Sequence, residues 1–89
     1  MTAARPSLGV VFPQLEAGVD PTVIRHFLQT VESLGYDYLT IYDHVVGADP
    51  ALHPGWEPRG PGRPFYTHAS AFHEPFSLLG YASAVTDRL

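Results

Sequence analysis

The sequence predicts an α/β protein built on parallel strands. Two apolar runs of strand character flank one amphipathic helix. The second run, Tyr38-Leu39-Thr40-Ile41-Tyr42, ends abruptly in Asp43-His44. After a long Pro/Gly-rich stretch, His73-Glu74-Pro75-Phe76 opens a second apolar helix. Alternation of strands and helices is the pattern of a parallel sheet covered by helices, and such folds carry their chemistry at the carboxyl ends of the strands.

Leu8-Gly9-Val10-Val11-Phe12-Pro13 is short and almost wholly apolar, as are strands buried on both faces. Pro13 offers no N–H to a ladder and stops it. Residues 14–19 then read as a connecting loop. Asp20-Pro21 is a helix start, since the carboxylate can accept an early N–H and proline suits the first helical position. Val23, Ile24, Phe27, Leu28, Val31 and Leu34 recur at helical spacing, with Arg25, His26, Gln29, Glu32 and Ser33 opposite. Gly35 suits a left-handed C-terminal cap. The resulting βαβ crossover, right-handed in nearly all proteins, makes the two strands parallel. Pro13-Gln14 and Asp43-His44 then share one rim.

Residues 45–72 show no periodicity. Prolines 50, 54, 58, 61 and 64 and glycines 47, 55, 60 and 62 exclude regular structure there. Trp56, Phe65, Tyr66 and Phe72 give the segment the composition of a lid or pocket wall; a mobile excursion is the other reading. Residues 76–89 read as a helix with Leu78, Ala82, Val85 and Leu89 on one stripe and Phe76 and Leu79 beside it. A helix on a parallel sheet is normally followed by another strand, so residues 1–89 read as a single partial domain, a fragment or a truncated relative of a longer protein.

Composition narrows the function. The chain has 89 residues, 45% hydrophobic and 16% charged, with a net charge of −4. That is too apolar for a disordered tail, and five scattered basic residues make no nucleic-acid footprint. There are no cysteines, hence no disulfide or thiolate metal site. The N-terminus lacks a signal-peptide core, and no apolar run approaches the roughly 18 residues of a membrane span. A cytoplasmic protein is the expectation.

The chemistry-bearing candidates are few. His44 is a natural proton donor or acceptor near neutral pH, and Asp43 can orient it or accept from a ligand; the plainer alternative is a turn cap and a satisfied loop histidine. Gln14 can donate to a ligand or simply bond loop backbone. His68, His73, His53 and Glu74 lack the spacing of metal ligands. No phosphate-binding glycine motif or nucleophile elbow is present.

Four segments, in order, resemble the opening of the luciferase-like monooxygenase family: Gly9-Val10-Val11-Phe12-Pro13-Gln14, Val31-Glu32-Ser33-Leu34-Gly35-Tyr36-Asp37, Asp43-His44 and Phe72-His73-Glu74-Pro75-Phe76-Ser77-Leu78-Leu79-Gly80-Tyr81. The last resembles the branch that uses F420 or FMN. The resemblance covers nearly the whole chain but only about the first third of a (β/α)8 TIM barrel of about 250 residues. It implies a flavin or deazaflavin ring across the strand-end rim. It also implies an oxidoreductase acting by hydride transfer or oxygenation on a small organic substrate, with a homo-oligomer as the expectation for the full-length protein. On that resemblance Asp43, Gln14 and Pro13 are cofactor-binding candidates, and His44 is the catalytic candidate, as acid/base or substrate contact. The competing classes are a non-catalytic fragment and, on the strength of the histidines, a metal-dependent hydrolase on the same barrel.

Overall fold

The computed structural model describes residues 4–43, 47–54 and 67–89. The elements are β1 (Gly9–Val11), α1 (Gln14–Ala17), α2 (Pro21–Ser33), β2 (Tyr38–Thr40), a single 3-10 turn (Pro50–Leu52) and α3 (Pro75–Val85). β1 and β2 pair in parallel, with Gly9 opposite Tyr38, Val10 opposite Leu39 and Val11 opposite Thr40. Asp37 N–H donates to Leu8 O at 2.7 Å before the ladder, and Phe12 N–H to Thr40 O at 2.8 Å after it.

α2 forms where its start and stop signals lie. Asp20 Oδ1 accepts from Thr22 N–H at 2.9 Å, and Pro21 occupies the first turn. Gly35 has φ +93°. Its N–H reaches Glu32 O, and Tyr36 N–H reaches Val31 O, at 3.1 and 3.3 Å. This is the paired closure of a Schellman end, for which glycine lacks the Cβ that would clash. Ile24, Leu28 and Val31 are buried. Val23 and Leu34, expected on the same stripe, are 48% and 71% exposed. Val23 flanks the buried line and Leu34 is already the C-terminal cap.

Four features differ from the sequence expectation. The Pro50–Leu52 turn lies in the segment expected to hold no regular structure, where Asp49 Oδ1 accepts from Ala51 N–H at 3.0 Å and caps it. Residues 14–17 form one helical turn in place of a plain loop, closed by Ala17 N–H to Pro13 O at 2.9 Å and ended by Gly18 at φ +69°. Among the described residues the strands are covered on one face only. Val10 and Leu39 face inward and half-buried, while Val11 and Tyr38 on the other face are 46% and 50% exposed. Two strands with helices on one side leave the second face open among the described residues. Finally, α3 ends at Val85 and not at residue 89. Thr86 turns extended, with φ −126° and ψ 162°. The Glu32 carboxylate then takes the N–H groups of Asp87, Arg88 and Leu89, the last two at 2.8 and 2.9 Å. An acceptor that holds three successive N–H groups outcompetes one more helical turn.

The core lies between the inner sheet face and the two long helices: Phe12, Ile24, Leu28, Leu78 and Ala82, ringed by half-buried Ala17, Phe27, Leu39, Ile41, Tyr81, Val85 and Leu89. α3 is set by Glu74, whose carboxylate accepts from Phe76 and Ser77 N–H at 3.2 and 2.7 Å, with Pro75 in its first turn. Of the expected stripe, Leu78 and Ala82 are buried and Val85 and Leu89 half-buried, whereas Phe76, expected beside it, is 83% exposed.

Carboxylates fasten the outer connections. Asp37 takes both guanidinium nitrogens of Arg5, at 2.6 and 3.0 Å, and the N–H of Leu8 at 2.8 Å. Three carboxyls are thereby held below their ordinary range: Asp37 chiefly by the Arg5 hydrogen bond, Glu32 chiefly by Arg88 N–H, and Glu74 chiefly by Ser77. A pKa lower in the folded than in the unfolded chain contributes stability above the unfolded value, and that stability is lost as pH falls through the folded one. The melting temperature is therefore expected to hold near neutrality and drop below about pH 4. The drop should shrink in a triple variant, Glu32→Gln, Asp37→Asn and Glu74→Gln, followed by circular dichroism. An acid drop as large in that variant as in the parent would contradict the assignment.

Candidate functional site at the strand ends

Parallel pairing brings the carboxyl ends of β1 and β2 to one side, and the chain builds a joint there. Gln14 is the one buried polar residue among those described, at 6% exposure. Its Nε2 donates to Tyr42 O at 3.0 Å and its Oε1 accepts from His73 N–H at 3.0 Å. One side chain thus ties the end of β1, the residue before Asp43 and the residue before the Glu74 cap of α3.

His73 reinforces the joint. Its Nε2 lies 2.7 Å from Gly18 O. A carbonyl only accepts, so Nε2 carries a proton and donates it. The imidazole stands edge-on to Phe12, with centroids 5.7 Å apart, and Phe12 stands edge-on to Phe27 at 5.6 Å. Such edge-to-face pairs add to the burial energy of the rings.

The structure therefore places Pro13, half-buried, beside buried Gln14, with Tyr42 and Asp43 exposed on the rim. Asp43 offers a solvent-facing carboxylate there, able to accept from a ligand N–H or hydroxyl. Gln14 directs its amide to main chain. His44 lies outside the described residues, as do Trp56, Phe65 and Tyr66 of the expected lid. The described ends of the long segment meet each other. His68 N–H donates to Ala48 O at 2.9 Å, and a Cβ on Gly47 would fall 2.5 Å from Thr67 O, so only glycine fits that neck.

The remaining histidines are dispersed. His73 is held by Gly18, His68 Nδ1 sits 3.4 Å from Ala48 O and 4.0 Å from Asp49 Oδ1, and His26 and His53 are exposed. Among the described residues no three His, Cys, Asp or Glu side chains come together in a metal-holding group.

A concavity apart from the rim lies at the N-terminal ends of α2 and α3. It is an open groove of about 270 Å³ lined by Val19, Pro21, Ile24, His73, Ser77, Leu78 and Tyr81, with Tyr81 OH donating to Pro21 O at 2.9 Å. Pro13, Gln14 and Asp43 do not line it.

The roles of His73 and of the Tyr42 carbonyl are not visible in the sequence. Gln14 signals itself only as an isolated amide inside an otherwise apolar stretch. No helix among the described residues is long and apolar enough to cross a membrane. No family model matches the chain, and no curated protein or solved structure matches it either.

Proposed function

We propose that the chain supplies the first β/α units of a luciferase-like (β/α)8 barrel, an F420- or FMN-dependent oxidoreductase acting on a small organic substrate. The observation that carries this reading is the joint at the strand ends. Gln14 gathers the end of β1, Tyr42-Asp43 and His73 at the carboxyl side of a parallel sheet, where α/β folds hold their ligands. Two of the four segments that resemble the family meet there through Gln14 and His73, and Asp43 directly follows the Tyr42 whose carbonyl Gln14 holds.

The described residues fit part of such a ring. The Asp43 carboxylate suits the N–H edge of an isoalloxazine or deazaflavin, and Pro13 and Tyr42 give it apolar surface. Gln14 holds these groups in place, and His44 moves the proton on substrate. The bound ring supplies the hydride or the oxygen chemistry. Charge-assisted hydrogen bonds contribute about 1.5–3 kcal/mol, so Asp43→Ala is expected to weaken F420 or FMN binding about 10- to 100-fold, measured by quenching of ring fluorescence. An unaltered affinity would remove Asp43 from the site.

A second reading rests on the open sheet face. Two parallel strands neither close a barrel nor bury both faces, and Val11, Tyr38 and Tyr42 stand exposed. On that reading the 89 residues have no activity alone. A chain that quenches neither cofactor's fluorescence favours it.

A further inference from the structure

We propose that Gln14 is the positioning residue of the rim: its neutral amide, giving a hydrogen to Tyr42 O and taking one from His73 N–H, fixes the peptide that carries Asp43. This rests on reading the strand ends as the site. It changes what Gln14 does there, from touching a ligand to placing the residue that does.

The geometry asks for one donor and one acceptor on the same side chain. Tyr42 O can only accept and His73 N–H can only donate. Beyond Phe12 N–H to Thr40 O the strand ladder gives way, and Gln14 takes over two residues further along. Gln14 is buried and both of its bonds are partly shielded, so water replaces a lost partner there only in part. Leucine matches neither group. An ionised glutamate serves His73 N–H but sets a charge against Tyr42 O. A protonated glutamate restores both bonds, since its hydroxyl donates and its carbonyl accepts. Burial beside a carbonyl favours that protonated form.

The test uses amide spectra and hydrogen exchange on the 89-residue chain, comparing Gln14→Glu and Gln14→Leu with the parent at the same pH. In Gln14→Glu the Asp43 amide should be displaced from its parental position near pH 8 and return to it near pH 5. The His73 amide should stay protected throughout. In Gln14→Leu the Asp43 amide should be displaced at both pH values and the His73 amide should exchange at least tenfold faster. Binding of F420 or FMN should weaken in step with the Asp43 displacement, recovering at low pH only in Gln14→Glu. An Asp43 amide unmoved in Gln14→Leu, or displaced equally at both pH values in Gln14→Glu, overturns the proposal. If Gln14→Leu does not fold, the pH comparison within Gln14→Glu decides alone. If the parent binds neither cofactor, the functional reading falls, while the spectra still decide what Gln14 does.

Discussion

Replacing Phe12 with alanine is expected to cost about 3–5 kcal/mol, the range for truncating a buried phenylalanine. Phe12 is 1% exposed and sits where β1, α2 and the start of α3 meet, edge-on to both Phe27 and His73. Single domains are stable by about 5–15 kcal/mol, and an 89-residue chain whose described residues cluster five buried side chains in the core belongs at the low end. Phe12→Ala should therefore leave a largely unfolded chain at room temperature, seen as a lost or shifted urea transition. Phe12→Leu, which keeps most of the volume, should lose only about 1 kcal/mol. A Phe12→Ala midpoint close to the parental one would mean that this ring does not join sheet to helices. The effect reaches the site as well, because Phe12 precedes Pro13-Gln14 and supports the His73 imidazole.

The second large effect is expected at His44. A positioned acid or base contributes about 10²–10⁴ in rate. His44→Ala should lower F420- or FMN-dependent turnover by a factor in that range, followed by ring absorbance, and leave cofactor affinity nearly unchanged. Asp43→Ala should show the opposite split, with affinity lost first. Unchanged turnover in His44→Ala removes this residue from the mechanism and leaves Asp43 the sole polar candidate of the pair.

The backbone frame was legible because local signals state it directly. Asp20-Pro21, Gly35 and Pro75 mark helix ends through dihedral limits and orphan N–H groups that act within a few residues. The parallel pairing followed from the length of the crossover. What escaped depends on distant partners. Nothing local says that Glu32 will hold the N–H groups of residues 87–89 and cut α3 short. Nor does anything local say that Asp37 will take Arg5, 32 residues away. The turn at Gln14–Ala17 was missed because four residues carry no periodicity. At the site, Pro13, Gln14 and Asp43 were legible as strand-end residues. That Gln14 faces main chain was not, because it depends on Tyr42 and His73, 28 and 59 residues further along. The apolar run at residues 8–12 suggested burial on both faces because hydrophobicity records what a strand can tolerate, not how many layers the described residues supply.

The proposed rim is tested most directly by adding F420 or FMN to the isotope-labelled chain and recording which amides respond. If the rim holds the ring, the shifts concentrate at Gln14, Ile41, Tyr42, Asp43 and His73, and Asp43→Ala removes them. Shifts confined to the Val19, Ser77 and Tyr81 groove, or no response to either cofactor, would contradict a ring seated at the strand ends.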